Sequence, residues 1–175
     1  MKRTIKRGLV QIYTGAGKGK TTAALGLALR ASGAGFSVYV QQFIKGSKCS
    51  EMRSLAMIDR IKIDQCGHGC FIKGKPGKDD VEYARRGLAR ARRMMVSGKY
   101  DLVILDEVNN AIQLGLIKSD EVLDVITAKP RTVELVLTGR GCPKMIMEHA
   151  DLITEMKKIR HPFDKGIAAR RGIEY

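Results

Sequence analysis

An α/β fold, with a mainly parallel sheet of about six strands and helices on both faces, is predicted by three observations. Short apolar runs of strand length alternate along the chain with longer runs of helical periodicity. A glycine-rich turn joins the first apolar run to the first helical one. No composition shift, internal repeat or long linker interrupts the alternation, so residues 1–175 are expected to form one domain.

Each element follows from its local pattern. Leu9-Val10-Gln11-Ile12-Tyr13 supports a strand over 8–14, and Ala23-Ala24-Leu25-Gly26-Leu27-Ala28-Leu29-Arg30 a helix over 20–33. A strand over 36–43, a short helix over 50–58 and a strand over 60–65 come next. A Gly- and Lys-rich loop from Gly67 to Lys78 leads into a helix over 79–97. There Ala84, Leu88, Ala91 and Met95 recur at helical spacing, leaving Arg85, Arg86, Arg90, Arg92 and Arg93 mostly on the other sides. A strand over 101–106, helices near 107–114 and 119–127, a strand over 132–138, a helix over 143–149 and a short strand over 152–156 complete the series. From His161 to Tyr175 there is no clear period, and 157–175 is expected to be an extended C-terminal tail.

At 175 residues and 44% apolar content the chain can bury a sizeable core, which excludes disorder and fibre. Nothing approaches 18 consecutive apolar residues, and the basic start Lys2-Arg3-Thr4-Ile5-Lys6-Arg7 leads into a strand rather than a signal-peptide run. No membrane partner and a cytoplasmic location are therefore expected. Four cysteines, at 49, 66, 70 and 142, form no paired C-x-x-C sets and read as free thiols. Cys66-Gly67-His68-Gly69-Cys70 offers three metal donors but no second ligand cluster, so structural zinc is not expected.

The net charge, 32 minus 18 or +14, attracts polyanions without choosing among them. With four Phe, five Tyr and no Trp there is no stacking platform for single strands, so nucleic acid is not the expected partner.

The residues that carry chemistry fall at strand ends. Thr14-Gly15-Ala16-Gly17-Lys18-Gly19-Lys20-Thr21-Thr22 lies between strand and helix, where glycines let backbone N–H groups turn inward and the helix N-terminus favours negative charge. That placement points to a polyphosphate, with Lys20 supplying charge and Thr21 a hydroxyl for Mg2+. The strict pattern G-x-x-x-x-G-K-[ST] would require glycine at position 14, where Thr14 stands. With its first glycine at 15, the loop is one residue short. Asp101-Leu102-Val103-Ile104-Leu105-Asp106-Glu107 looks like a Walker B segment. Asp106 would reach Mg2+ directly or through water, and Glu107 would be a second metal-shell group or a base. Thr138-Gly139-Arg140-Gly141-Cys142-Pro143 closes another strand at the same edge, placing Arg140 to meet an anion. Lys18 inside the loop is a further candidate, and Lys45 a weaker one.

With these segments assembled, the chain resembles the P-loop ATP:corrinoid adenosyltransferases, the family that makes adenosylcobalamin. The resemblance runs from about Gly8 to Tyr175. It rests on Tyr13 to Gly26, on Gln42-Phe43-Ile44-Lys45-Gly46, on Leu105-Asp106-Glu107, on Leu137-Thr138-Gly139-Arg140-Gly141, on Ala150-Asp151-Leu152-x-Thr154-Glu155-Met156 and on the series from His161-Pro162-Phe163-Asp164 to Gly172-Ile173-Glu174-Tyr175. It implies a P-loop NTPase (RecA-like) fold and displacement at carbon 5' of ATP by a cobalt(I) corrinoid, cob(I)alamin or a precursor, with triphosphate leaving. It also implies that Gly15, Ala16, Gly17, Lys18, Gly19, Lys20, Thr21, Thr22 and Arg140 bind the nucleotide, that Thr21 with Asp106 or Glu107 holds Mg2+, and that no water-activating base is needed. The short loop then acquires a role, because adenosyl transfer holds the whole triphosphate as leaving group while the sugar carbon stays open.

Relatives often carry Gly-Phe-x-Trp after the third strand, with aromatics thought to push away the corrinoid's lower ligand. Here the stretch is Cys70-Phe71-Ile72-Lys73, so Phe71 is the candidate for that contact and Lys73 replaces the indole. The signature Asp-x-His-x-x-Gly, with which corrinoid enzymes supply histidine to cobalt, is absent, as suits transient modification of a corrinoid. The resemblance further implies a homodimer and a flavoprotein reductase as electron donor. Two other readings of the residues stand beside it: an NTP hydrolase or kinase with Glu107 as base, acting with a polyanionic partner, and a non-catalytic nucleotide-binding regulator.

Overall fold

The computed structural model describes residues 5–44, 50–67 and 76–174. Along the chain run β1 Val10–Thr14, α1 Lys20–Gly33, β2 Val38–Phe43, α2 Ser50–Leu55, β3 Ile61–Cys66, α3 Lys78–Val96, β4 Leu102–Asp106, α4 Val108–Gln113, α5 Ser119–Thr127, β5 Glu134–Thr138, α6 Lys144–Met147 and β6 Leu152–Glu155. A 3₁₀ turn, Pro162–Lys165, lies in the exposed C-terminal segment. Every expected strand and helix has its counterpart. The short helices end sooner than periodicity suggests, because i→i+3 bonds take over. After α2, Met57 N–H donates to Ser54 O and Ile58 N–H to Leu55 O.

All six strands are parallel in one sheet, in the order β3-β2-β4-β5-β1-β6. From β1 the chain crosses past β5 and β4 to β2, whereas from β5 it passes to β6 on the other side of β1. Around this reversal the loops after β1, β4 and β5 meet at one carboxyl edge, the place where open parallel sheets bind ligands.

Alternation along the strands divides the core in two. Val103 and Leu105 pack with Ala84, Leu88, Ala91 and Met95 of α3 and with Val122 and Val125 of α5. Leu102 and Ile104 face the other way, against Ala24 and Ala28 of α1 and Leu55 of α2. The four α3 positions expected inside are all buried. Of the α3 arginines, Arg85 pairs with Glu121 at 3.2 Å and Arg90 lies 3.8 Å from Asp64, so part of that basic face is engaged by neighbouring elements. Among the described residues no helix is long and apolar enough to cross a membrane.

Candidate active site

The phosphate-loop candidate leaves the end of β1 and turns into α1. Thr14, where the strict pattern has glycine, is the last residue of β1, and the positive φ passes to Gly15 at 98°. The loop is braced from behind by the chain leaving β6. Met156 N–H donates to Thr14 O at 2.8 Å, and Gly17 N–H donates to Met156 O at 2.6 Å. A Cβ on Gly15 would come within 2.5 Å of Met156 O, and one on Gly17 within 2.6 Å. Both glycines therefore answer to the chain just beyond β6 as well as to any phosphate. The Gly17 N–H, expected from sequence to turn inward, is taken up there by Met156 O.

Gly19, at φ 115°, caps α1 and delivers Lys20 and Thr21 into its first turn. The Lys20 ammonium donates to Gly15 O and Gly17 O at 2.7 Å each, so the loop is wrapped around its own lysine. Burial pulls the Lys20 pKa below the usual lysine value; Glu107 pushes it back up and Arg140 adds to the lowering.

Thr21 Oγ1 donates to Asp106 Oδ1 at 2.9 Å, which joins the two sequence-predicted metal residues. Asp106 is fully buried and receives two further bonds: Thr138 Oγ1 donates to Oδ1 at 2.7 Å, and Gln42 Nε2 to Oδ2 at 3.0 Å. Glu107 follows in the left-handed region at φ 63°, and its N–H donates to the Thr138 hydroxyl at 2.9 Å. Among the described residues no three His, Cys, Asp or Glu side chains gather to cage a metal. A hydroxyl beside a carboxylate, both hard oxygen donors, suits an ion such as Mg2+ that keeps waters and takes substrate phosphates for its remaining positions.

Arg140 follows β5, as expected, on a turn clamped from α4. Its N–H donates to Asn110 Oδ1 at 2.5 Å, and Asn109 Nδ2 donates to Gly139 O at 3.5 Å. A cleft of about 750 Å³ opens over these groups, lined by Gly17 to Thr22, Glu107 and Arg140 on one side and by Leu25, Leu29, Leu55 and Ile58 on another. Its remaining wall includes His161, Gly172, Ile173 and Glu174 from the C-terminal segment. Lys18 is turned toward that segment: its ammonium donates to Ile173 O at 3.1 Å and to Glu174 Oε1 at 3.0 Å. Glu174 is also bonded by Arg170, and these bonds hold its carboxyl down to about 2, the Arg170 side chain contributing most.

Ala16 and Thr22 lie within the same loop and first turn. Phe71, the candidate corrinoid contact, and Lys45 lie outside the described residues, as do Cys49, Cys70 and His68 of the cysteine-rich stretch. The described cysteines, Cys66 and Cys142, are free and buried, and burial raises their thiols to about 12 and about 11. Sequence reasoning missed Gln42, Asn109 and Asn110 as parts of the site, and met Thr138 only as a strand end. For Gln42 and Thr138 the available signal was a polar side chain at the carboxyl end of an otherwise apolar strand; Asn109 and Asn110, in the first turn of α4, gave no such signal.

The profile of the family described as ATP:corrinoid adenosyltransferase BtuR/CobO/CobP matches residues 6–175. The corrinoid adenosyltransferase of Escherichia coli (strain K12) is 35% identical over 170 residues, which span 97% of this chain and 87% of that protein. The corrinoid adenosyltransferase CobA of Salmonella typhimurium is 34% identical over 97% of this chain and 87% of its own length, and that of Pseudomonas aeruginosa 33% over 97% and 85%. Among solved structures the RadB recombinase superposes with a TM-score of 0.59 at 14% identity, covering 89% of this chain and 77% of its own. That likeness bears on the fold alone and supports the α/β P-loop NTPase architecture.

Proposed function

The chain belongs to the ATP:corrinoid adenosyltransferase family, and we propose that the cleft at the carboxyl edge of its sheet is where ATP gives its 5'-deoxyadenosyl group to the cobalt(I) of a corrinoid. The observation that carries this assignment is the convergence of Lys20, Thr21, Asp106 and Arg140 around that one cleft.

In the transfer, the cobalt(I) electron pair forms the bond to carbon 5', the bond from carbon 5' to oxygen breaks, and its pair leaves on triphosphate. The reaction takes no proton from the nucleophile, so Glu107 is not required as a base. The work of the chain is to hold a highly charged leaving group and expose the sugar carbon. Gly15 to Thr22 cradle the triphosphate, and ATP draws the Lys20 ammonium from the Gly15 and Gly17 carbonyls onto phosphate oxygens. Arg140 meets the charge from the β5 side, and Lys18 adds a cation at the mouth. Thr21 and Asp106 hold Mg2+, with Glu107 beside them. When bound, that ion offsets the charge that grows on the triphosphate as it leaves. Phe71, beyond β3, is the residue we assign to the corrinoid.

The same reading treats 1–175 as one catalytic unit working in the cytoplasm as a homodimer, with 157–175 as its C-terminal tail. An acidic flavoprotein reductase would dock on the exposed arginines of α3. A coupled rate insensitive to salt would sink that docking.

The decisive experiment supplies ATP, Mg2+ and chemically reduced cobalamin. Adenosylcobalamin and triphosphate should appear together in equal amounts, whereas ADP and phosphate without a cobalt–carbon bond would overturn the assignment. Lys20→Ala should lower kcat by about 100-fold or more, the scale of removing one charge-stabilising donor.

A further inference from the structure

Strand β2 ends in a feature that burial alone does not call for. Gln41 and Gln42 are adjacent and both fully buried, in a strand whose other residues, apart from Tyr39 and its hydroxyl, are Val38, Val40 and Phe43. Their side chains leave opposite faces of the sheet. Gln41 is bound up with Tyr39 and Asp64: Tyr39 Oη donates to Gln41 Oε1 at 2.9 Å, and Gln41 Nε2 to Asp64 O at 3.3 Å. That arrangement satisfies buried polar groups and goes no further. Gln42 does something different. Its Nε2 donates to Asp106 Oδ2 at 3.0 Å, while its Oε1 accepts from Gln65 Nε2 at 2.8 Å. Three neighbouring strands, β3, β2 and β4, are thus linked at their carboxyl ends by one file of side chains that terminates on the carboxylate.

We propose that Gln42 is a positioning residue for the bound cation, acting through Asp106 and itself held in orientation by Gln65. The proposal rests on the reading that Asp106 and Thr21 hold Mg2+. The carboxylate, which can only accept, gives the amide its sense: Nε2 faces Asp106, and Oε1 is left to accept from Gln65, which holds the side chain in place. Thr138 and Thr21 both reach Oδ1, so Gln42 is the partner of the other oxygen and sets the rotation of the carboxylate about its own bond. A carboxylate whose plane is fixed from behind presents one oxygen to Thr21 and to the cation without a reorganisation on binding. Outer partners of metal ligands commonly change metal affinity about 10- to 100-fold when replaced. Glutamine serves here where glutamate would not, because a second carboxylate would face the first at hydrogen-bonding distance.

The test measures ATP affinity by equilibrium dialysis with Mn2+ as the cation and again in EDTA. The ratio of the two is the advantage the cation confers, and it requires no turnover. Asp106→Asn should remove most of that advantage. Gln42→Met, similar in length but without a donor, should reduce it about 10-fold while leaving the affinity in EDTA unchanged. Gln65→Met, which removes the outer anchor at a partly exposed position, should reduce it severalfold in the same direction. Tyr39→Phe, a loss of a buried hydroxyl on the same strand, should lower the melting temperature and leave the ratio alone. If Asp106→Asn keeps the full advantage, the metal reading fails and the proposal with it. If Asp106→Asn loses the advantage but a folded Gln42→Met keeps it, the positioning role alone is overturned. Should Gln42→Met not fold, Gln65→Met decides, and an unchanged ratio there overturns the proposal.

Discussion

Two described residues other than glycine hold φ in the left-handed region, Ile44 at 67° and Glu107 at 63°. At Glu107 the conformation has a visible consequence, because it turns the N–H onto the Thr138 hydroxyl, which in turn donates to Asp106. A left-handed non-glycine residue costs about 1–2 kcal/mol, and glycine returns part of that through the freedom it adds to the unfolded chain. Glu107→Ala loses the same side chain but keeps the strain, so Glu107→Gly should be as stable to urea as Glu107→Ala or more stable by up to about 1 kcal/mol, while adenosyl transfer falls in both. A glycine variant less stable than the alanine one would argue against strain at this position. Gly15 presents the opposite case. A methyl there would strike the Met156 backbone, which is fixed by its own bond to Thr14. Gly15→Ala should cost about 1–3 kcal/mol in chemical denaturation and raise the KM for ATP, because the cradle must shift to make room.

At the scale of elements, the closest helix-to-strand approach among the described glycines is that of α3 to the end of β3. A Cβ on Gly87 would stand 2.3 Å from Cys66 Sγ and 2.9 Å from Cys66 Cβ. The sulfur is buried and accordingly unreactive, its thiol raised to about 12. Gly87→Ala should destabilise by about 1–3 kcal/mol through overpacking, and adding Cys66→Ala should recover part of that loss. A double-mutant cycle with no coupling would show that the helix moves as a body instead of pressing on this one side chain. The raised thiol also has a pH signature. The unfolded chain ionises near 9 and the folded one near 12, so stability falls across that window as pH rises, and Cys66→Ala should flatten the decline.

For the whole molecule, the return of the C-terminal segment to the mouth of the cleft matters most. Glu174 brings a negative charge to Lys18, at the edge where triphosphate is proposed to sit. Removing it should favour the anion. Glu174→Gln is expected to lower the KM for ATP about two- to five-fold at low salt, with the difference shrinking as salt rises, in keeping with the modest size of exposed ion pairs. The carboxylate's folded pKa is depressed, so its contribution to the clasp is complete above the ordinary value of 4.5 and disappears as pH falls through about 2. An NMR titration of the Glu174 carboxyl carbon should show its midpoint near 2, set mainly by Arg170 of the same segment, and Lys18→Ala should raise it in part; no change on removing Lys18 would mean that the segment does not stay docked in solution.

Sequence alone determined the alternation of strands and helices, the phosphate-loop candidate, the acidic strand end and the family resemblance. Each of these depends on near neighbours: apolar period, a glycine turn before a helix, a carboxylate closing an apolar run. The strand order, by contrast, was decided only in three dimensions, and with it the partners of Asp106. Thr21, Gln42 and Thr138 lie 85, 64 and 32 residues from that carboxylate along the chain, and Lys18 lies 155 from the Ile173 carbonyl it meets. A buried polar side chain looks like an irregularity in an apolar strand until its partner is known. The partner is set by which strands become neighbours, and that follows from how the crossovers pack both faces of the whole sheet.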